Sequence, residues 1–363
     1  MESDQAMRRI IIIGTGLIGT SVALAMRERG TEVLLADRDA ASLELAVQLG
    51  AGTPLPEDGP DEPADLAVVA VPPAAVAPVL LDAQKRGLAH VYTDVASVKA
   101  MPLQEAAELG CDLTSYVAGH PLAGSERSGP AAARADLFLG RTWALCPVEE
   151  TDSRALERVR QLATACGART LTVPAAEHDR AVALVSHGPH VVSAAMAARL
   201  RGADDVALSL AGQGVRDVTR IAAGDPRLWL GILSANAGPV ADVLEEVAAD
   251  LKAAAAHLRE GGEHALERVT DLLVRGNAGR ARIPGKHGGR QSRYAVVPVL
   301  IPDRPGELAL LFQAAGVAGV NIEDVSIEHS PGLAVGVVEL SVEPEAAQRL
   351  AAELRARGWS VPG

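Results

Sequence analysis

Aromatic side chains are scarce in this sequence of 363 residues, which contains three Trp, three Tyr and two Phe. A hydrophobic core must therefore consist mainly of Ala, Val, Leu and Ile, and a surface that stacks nucleic-acid bases on aromatic rings is not expected. The net charge of −12 also argues against nucleic acid, because binding a polyphosphate calls for a basic surface. We therefore expect no nucleic-acid partner.

Cysteine and long apolar runs are also rare. The three cysteines, Cys111, Cys146 and Cys166, are odd in number and show no CxxC spacing, which argues against a disulfide framework and a thiolate zinc site. The apolar stretch 66–81 contains three prolines and is shorter than the roughly 20 residues of a membrane helix. The polar start of the chain does not resemble a secretory signal. We expect a cytoplasmic protein with no membrane partner.

Apolar residues are nevertheless abundant, at 48% of the chain, so large hydrophobic cores are expected. Up to residue 173, short β-rich runs alternate with Ala/Leu-rich helical stretches, which predicts a parallel sheet covered by helices on both faces. We predict a Rossmann-type α/β domain over residues 1–173. The predicted strands are 9–13, 32–36, 65–71, 90–95, 115–119, 142–147 and 169–173, and the predicted helices include 16–29, 40–49 and 153–166.

The pattern changes twice after Pro174. Residues 174–275 are helical in pattern, with long stretches at 175–200 and 239–258, and predict an all-helical substrate and dimerisation domain. Residues 276–293 are basic and rich in Gly, a composition typical of a linker. From residue 294 the order βαββαβ within about 70 residues predicts a ferredoxin-like α+β domain that ends at residue 363.

A glycine-rich motif, GTGLIG at 14–19, follows the first predicted strand and opens a helix, as the dinucleotide-binding GxGxxG motif requires. Its glycines permit a tight turn, close approach to a pyrophosphate and close packing of helix on strand. Asp37 ends the second strand, where a carboxylate binds ribose hydroxyls and favours NAD. The adjacent Arg38 leaves NADP open, and a purely structural glycine turn is the alternative. The predicted cofactor residues are Gly14, Gly16, Leu17, Ile18, Gly19, Asp37, Val71 and Pro72.

Two polar stretches, 93–99 and 119–126, follow later strands, at the edge where open α/β sheets bind ligands. His120 lies in a Gly-His-Pro turn within the second stretch. Oxidation of an alcohol needs a general base with a pKa near neutrality, which histidine supplies. Ser97, in the first stretch, could hydrogen-bond the imidazole or the substrate hydroxyl. On these residues alone, a turn histidine with a structural hydrogen bond is the alternative.

Several motifs occur in the order typical of one enzyme family. They are GTGLIGTS at 14–21, DVASVK at 94–99, GHPLAGSE at 119–126, EHD at 177–179, SHGPH at 186–190 and RDVTRIA at 216–222. From residue 10 to about residue 272, the chain resembles the prephenate dehydrogenases of tyrosine biosynthesis. The C-terminal motifs DRPGEL at 303–308 and GVNI at 319–322 resemble those of ACT domains, small regulatory modules that often bind amino acids.

The resemblance implies a homodimer that oxidises and decarboxylates prephenate to 4-hydroxyphenylpyruvate with NAD. It implies that His120 accepts the proton of the ring hydroxyl, that Ser97 orients His120 and the hydroxyl, and that Arg220 binds a substrate carboxylate. We expect His120 and Arg220 to converge over the nicotinamide. Further substrate contacts are implied for Ser125, Glu126, His178 and His190. An amino-acid effector, with tyrosine as our hypothesis, is expected at Asp303, Pro305, Gly306 and Asn321.

Several alternatives stay open at this point. Arogenate dehydrogenase is one, because Glu126 could pair with the ammonium group of arogenate. A non-catalytic switch that senses a nucleotide and an amino acid is another, and the ACT-like segment could be a structural dimerisation module. Hydroxyacid and imine dehydrogenases are disfavoured, because their catalytic lysine has no counterpart between Pro174 and Gly238.

The helical-domain histidines raise a geometric question. His178 and His190 lie 12 residues apart on one predicted helix, so an ideal helix places them about 120° apart. They face one pocket only if the helix bends, and Gly188-Pro189 is a candidate bend. A metal site at His187 and His190 is disfavoured because no further ligand completes the set, so no metal is expected.

Overall fold

The computed structural model of the chain describes residues 7–123, 128–284, 294–329 and 335–362. The chain forms two compact units, Met1–Val247 and Ala248–Gly363. The first unit contains an eight-stranded sheet with its helices and much of the helical region. The second contains the remaining helices and a three-stranded sheet.

The eight-stranded sheet has the order β3-β2-β1-β4-β5-β6-β7-β8. Its strands are β1 (Arg9–Ile13), β2 (Glu32–Ala36), β3 (Thr53–Pro54), β4 (Leu66–Val69), β5 (Tyr92–Asp94), β6 (Tyr116–Pro121), β7 (Thr142–Cys146) and β8 (Arg169–Thr172). The order reverses between β1 and β4, which is the switch point where doubly wound sheets bind dinucleotides. The predicted Rossmann-type fold is thereby confirmed.

Helices cover both faces of this sheet. They are α1 (Leu17–Arg27), α2 (Ala40–Gln48), α3 (Pro73–Lys85), α4 (Ala100–Glu108) and α5 (Ser153–Ala165). Successive side chains of a strand point to opposite faces. Accordingly, Ile10 and Ile12 of β1 pack in one buried cluster with Val22, whereas Ile11 packs in the other with Leu80.

One pair of strands departs from the predicted parallel arrangement, because β6 and β7 are antiparallel. Parallel neighbours need a crossover connection, usually through a helix. Between β6 and β7, the described residues contain only a short 3₁₀ turn at Pro130–Ala132, so the chain returns in the opposite direction. His120 lies on β6 within this antiparallel pair, opposite Ala144.

A helical region follows the sheet. It consists of α6 (Ala175–Val182), a π-helical turn (Ala183–His187), α7 (Gly188–Leu200), α8 (Asp205–Ser209), α9 (Gln213–Thr219), a 3₁₀ turn (Arg220–Ala223), α10 (Pro226–Ala235), α11 (Ala237–Glu260) and α12 (Glu263–Arg280). By length and composition, the stretch Ala175–Leu200 is apolar enough to cross a membrane, with a mean hydropathy of 1.3. It nevertheless carries several buried polar side chains that bind other parts of its own compact unit.

The predicted linker was wrong at its start, because α12 continues to Arg280. The Arg275 guanidinium lies 2.9 Å from Asp250 and 3.1 Å from Asp271, and basic side chains suit the C-terminal end of a helix. A basic, glycine-containing composition therefore does not end this helix. Residues 285–293 of the predicted linker lie outside the described part.

The boundary between the compact units lies within α11, inside the helical domain that we predicted as one piece to residue 275. Val240, in the first half of this 24-residue helix, is buried, and the later half of the helix belongs to the second unit. The ion pair between Arg275 and Asp250 joins that half to α12.

The C-terminal segment forms β9 (Ala295–Pro302), α13 (Glu307–Val317), β10 (Asp324–His329), β11 (Val335–Val342) and α14 (Pro344–Ala356). The three strands form an antiparallel sheet in the order β10-β11-β9. A single antiparallel bridge joins Leu300 to Ser360, at the predicted last strand. Alternate residues of β9, namely Val297, Val299 and Ile301, are buried in the core of this small domain.

Candidate active site

The glycine-rich turn between β1 and α1 leaves room above its backbone. Gly14 has a φ of +107°, and a Cβ there would lie 2.2 Å from the carbonyl oxygen of Ala70. A Cβ at Gly19 would lie 2.0 Å from the Gly14 carbonyl, so both positions require glycine for the fold itself. A Cβ at Gly16, in contrast, would meet nothing within 4 Å. That open space fits the close approach of a pyrophosphate, so these residues suit a bound dinucleotide.

Asp37 ties this turn to the end of β2. Its carboxylate accepts hydrogen bonds from the Thr15 amide at 2.6 Å and the Thr15 hydroxyl at 2.9 Å, and its other oxygen accepts one from the Asp39 amide at 2.8 Å. These hydrogen bonds hold the end of β2 against the glycine-rich turn. Arg38 is exposed beside Asp37.

The remaining predicted cofactor residues lie near the same end of the sheet. Leu17 and Ile18 are half-buried in the first turn of α1. Val71 is half-buried after β4, and Pro72 is exposed at the start of α3. The sheet thus brings the predicted cofactor residues to the switch point between β1 and β4.

His120 belongs to a chain of hydrogen bonds that links β6 to α6. Its Nδ1 lies 2.8 Å from Nε2 of His178, and Nδ1 of His178 lies 2.8 Å from Oδ1 of Asp179. Asp179 also accepts hydrogen bonds from the backbone amides of Lys99 and Ala100, each at 2.8 Å. Sequence reasoning placed His178 at the substrate and missed Asp179. The adjacent carboxylate in the EHD motif was the available signal.

A second buried network reaches Gly119, the residue before His120. The Lys99 ammonium, fully buried, donates to the Asp94 carboxylate and to the carbonyl of Gly119. The same carboxylate accepts hydrogen bonds from the Tyr116 hydroxyl at 2.7 Å and from the Ala96 amide at 2.8 Å. A buried ion pair is stable only when its remaining hydrogen-bonding groups have partners, and these partners are present here. Because one of them is the Gly119 carbonyl on β6, the network fixes the end of this strand.

Ser97 is half-buried in the loop between Asp94 and Lys99. Within the described residues it makes no hydrogen bond to His120, and His178 occupies Nδ1 of that imidazole instead. The expected orienting role of Ser97 toward His120 therefore has no contact to support it here. Ser125 and Glu126 lie outside the described residues.

The π-helical turn answers the geometric question raised by the sequence. The Gly188 amide bonds to the Ala183 carbonyl, five residues back, so the turn holds one residue more than an α-helical turn. Counting 11 effective residues rather than 12 reduces the angle between His178 and His190 from about 120° to about 20°. Both side chains are buried, at 3% and 7% exposure.

His187, in the π turn, lies between the two halves of this helix. The side-chain amide of Asn236 bonds to its Nδ1 at 3.1 Å and to the Asp179 carbonyl at 2.8 Å. Because the amide nitrogen donates, the neutral His187 carries its proton on Nε2. His187 therefore presents an N–H donor on the side away from Asn236.

His190 stacks on Trp229, with ring centroids 3.6 Å apart and planes at 9°. The Trp229 ring fills the space beside Gly224, where a Cβ would lie 2.4 Å from the indole nitrogen. Arg220 is exposed and begins the 3₁₀ turn whose Ile221 backbone interacts with His190. The convergence of His120 and Arg220 stays a prediction.

Burial disfavours the protonated form of three histidines of this site, His120, His187 and His190. It lowers the pKa of His120 well below its usual range, and the positive charge of Lys99 lowers it further. Burial also lowers the pKa of His187 to about 4 and lowers that of His190. For Asp179, burial would raise the pKa, but hydrogen bonds from His178 and the Ala100 and Lys99 amides outweigh it and lower the pKa.

A Rossmann-type sheet with a dinucleotide turn and a buried neutral imidazole at its edge defines a nucleotide-dependent oxidoreductase with a helical second domain. Residues 22–172 match the family described as prephenate dehydrogenase, nucleotide-binding domain, and residues 174–272 match the prephenate dehydrogenase dimerization domain. The chain belongs to the prephenate dehydrogenase family, whose members are NAD-dependent oxidoreductases.

Individual relatives agree. The probable prephenate dehydrogenase NovF of Streptomyces niveus is 43% identical over 97% of this chain and 99% of its own length. The Aquifex aeolicus prephenate dehydrogenase, solved with hydroxyphenyl propionate and NAD⁺, is 25% identical with a TM-score of 0.66, covering 75% of this chain and 98% of that one. Synechocystis arogenate dehydrogenase is 28% identical with a TM-score of 0.63, over 75% and 98% of the two chains.

Two glycine substitutions should separate folding from cofactor binding. Gly16→Ala places its Cβ in open space, so the melting temperature without cofactor should stay unchanged. The Kd for NAD⁺, measured by calorimetry, should rise roughly tenfold or more, because the methyl group occupies the path of the pyrophosphate. Gly19→Ala, the matched control, should lower the melting temperature. Unchanged NAD⁺ affinity in Gly16→Ala would contradict the assignment of this turn.

The buried histidines predict a loss of stability in mild acid. Their pKa values are lower in the folded than in the unfolded chain, so the unfolded state binds more protons once the pH falls below about 6.5. Stability should therefore fall as the pH drops from about 6.5 toward 4, seen as a melting temperature several degrees lower. His187→Gln should reduce this dependence, whereas His264→Gln, at an 80% exposed side chain, should not. Equal dependence in both variants would contradict this account.

Proposed function

We propose that the chain catalyses the NAD-dependent oxidative decarboxylation of prephenate to 4-hydroxyphenylpyruvate. One observation carries the proposal: a neutral imidazole, His120, stands at the ligand-binding edge of the sheet with Nδ1 held by His178. Among the described residues Nε2 has no hydrogen-bond partner, so this atom can receive a hydroxyl proton. The family membership and its NAD⁺-bound relative support the same reaction.

In this proposal, bound NAD⁺ supplies the hydride acceptor, and the residues of the chain manage the proton and the substrate charges. Nε2 of His120 accepts the proton of the ring hydroxyl as the C4–H bond breaks. Arg220 binds a carboxylate of prephenate through its planar guanidinium, and His190 and Ser97 face the substrate. The ketone that forms is conjugated with the ring, so carbon dioxide leaves and aromatisation makes the reaction irreversible.

The electrostatics of the site favour prephenate over arogenate. The positive charge of Lys99 acts on His120 and lowers its pKa beyond the effect of burial. The buried carboxylates nearby, Asp94 and Asp179, already accept hydrogen bonds from several donors. Neither of these two carboxylates is therefore available to pair with the ammonium group of arogenate. Prephenate carries a ketone at that position and needs none.

Assembly and regulation extend this proposal. We propose that the helical domain, 174–275, mediates a homodimer, in keeping with the family description of residues 174–272 as a dimerization domain. We propose further that residues 294–363 are an ACT-like domain, since its strand order and the bridge at Ser360 fit a ferredoxin-like unit. Gly306, with a φ of +93°, turns the chain into α13, where Asp303, Pro305 and Asn321 would bind tyrosine. The enzyme would act in the cytoplasm.

His120→Asn tests the catalytic assignment. Asparagine keeps a polar side chain but cannot accept a proton, so kcat for prephenate should fall by roughly two to four powers of ten. The Kd for NAD⁺, measured by calorimetry, should stay the same, because the dinucleotide turn is untouched. A variant with wild-type kcat would show that another group is the base.

Substrate choice is tested by steady-state assays of the wild-type chain with prephenate and with arogenate, each with NAD⁺ and with NADP⁺. We expect the highest kcat/KM with prephenate and NAD⁺, because Asp94 and Asp179 are already engaged in hydrogen bonds and Asp37 repels a 2′-phosphate. A higher kcat/KM with arogenate would identify an arogenate dehydrogenase. Turnover with neither substrate would refute the proposed function.

A further inference from the structure

The hydrogen-bond chain from His120 to Asp179 has a defined direction. A carboxylate only accepts hydrogen bonds, so the proton between His178 and Asp179 belongs to Nδ1 of His178. When His178 is neutral, its Nε2 is an acceptor. Nδ1 of His120, 2.8 Å away, must then donate. This arrangement leaves Nε2 of His120 without a proton, which is the state that a base requires.

We propose that His178 and Asp179 are positioning residues for the proposed dehydrogenase reaction: together they set the tautomer of His120 and stabilise the positive charge that His120 acquires with the substrate proton. The inference rests on the proposed function for its catalytic consequence. The tautomer itself is a property of the folded chain and does not depend on turnover.

The proton movement balances through this chain. The O–H bond of the substrate breaks, and an N–H bond forms at Nε2 of His120. The N–H bond at Nδ1 of His120 can break in turn and form at Nε2 of His178, so that the imidazolium lies beside the Asp179 carboxylate. The electron pair of the substrate C4–H bond leaves as hydride for the cofactor. When carbon dioxide leaves, the electron pair of its C–C bond passes through the ring to the C4 oxygen, which takes the proton back through Nε2 of His120 and becomes the phenol hydroxyl.

The surroundings of His120 explain why such support is needed. Lys99 faces it from the loop before α4, and His178 and His187 face it from the helix opposite. Burial and the positive charge of Lys99 disfavour a second proton on His120. A base whose conjugate acid is unstable accepts a proton poorly, unless another group shares the charge. Asp179 is the carboxylate connected to His120 through the hydrogen bonds of His178.

Asp179 is itself held rigidly. The amides of Lys99 and Ala100 at the start of α4 donate to its two oxygens, and His178 donates to one of them. The N-terminal end of a helix stabilises negative charge, so Asp179 remains ionised when buried. The carboxylate therefore needs no rearrangement when positive charge develops on the imidazoles.

Two substitutions at His178 separate orientation from charge. In His178→Gln, the amide oxygen can still accept the hydrogen bond from Nδ1 of His120, but the side chain cannot take up a proton. In His178→Phe, the ring keeps its volume and loses both functions. If the proposal holds, kcat should fall about tenfold or more in His178→Gln and by roughly two powers of ten in His178→Phe. KM and the Kd for NAD⁺ should change little.

The pH profile distinguishes this role from a merely structural one. Without the shared charge, protonated His120 is less stable and its pKa falls further. In a plot of kcat/KM against pH, the fall on the acidic side should therefore occur at lower pH in His178→Gln than in the wild type. The maximal kcat/KM of this variant should be lower. The proposal would be overturned if the pH profile of kcat/KM in His178→Gln had the wild-type plateau value and the wild-type acidic pKa, and if kcat in His178→Phe equalled that of the wild type. A melting temperature within a few degrees of wild type establishes that each variant is folded.

A spectroscopic measurement tests the tautomer without any substrate. Long-range ¹H–¹⁵N correlation spectra of the ¹⁵N-labelled full chain distinguish protonated from bare imidazole nitrogens, and His120→Asn and His178→Gln assign the two rings. We expect Nδ1–H with bare Nε2 in both rings near neutral pH. In His178→Gln, His120 should keep its proton on Nδ1. In His178→Phe, His120 should show a mixture of the two tautomers. A proton on Nε2 of neutral His120 in the wild-type chain would overturn the proposal, whatever the assays show about prephenate.

Discussion

The carboxylate of Asp179 is the group on which the rest of the site depends. It accepts hydrogen bonds from two backbone amides at the start of α4 and from one imidazole N–H of α6. These bonds connect the helical region to a helix that covers the sheet. Because it is buried and its pKa is lowered by these donors, it is a permanent negative charge in a place where charge is otherwise costly. His178, and through it His120, take their orientation from this anchor.

The strand that carries His120 is held by a different buried charge. Lys99 and Asp94 form a fully buried ion pair whose remaining hydrogen-bonding groups are satisfied by Tyr116, Ala96 and Gly119. Removing either partner would leave an uncompensated charge in the core. The imidazole is thus acted on by a cation that disfavours its protonation and contacts an imidazole–carboxylate pair that supports it. This balance suits a residue that must be neutral at rest and accept a proton during the reaction.

Much of the molecule was predictable from local patterns. The strands at 9–13 and 32–36 are found where their β-branched runs begin and end, and the glycine motif lies at the switch point of the sheet. The antiparallel β6–β7 pair was missed, because strand direction depends on the connection and not on the strand. The helical run 276–280 was missed, because the acidic partners of Arg275 lie on both α11 and α12.

By itself, the sequence determined the residue types of the site and the turn that suits a dinucleotide, since both are encoded in short contiguous motifs. Only the tertiary structure decided which groups meet. His120 and His178 are separated by 58 positions, and no local rule relates them. The π-helical turn brings His178 and His190 to one face of the helix by adding a single residue. One extra residue is too small a change to be detected in the hydrophobic periodicity of the sequence. Packing of the helical region against the sheet edge makes these side chains partners.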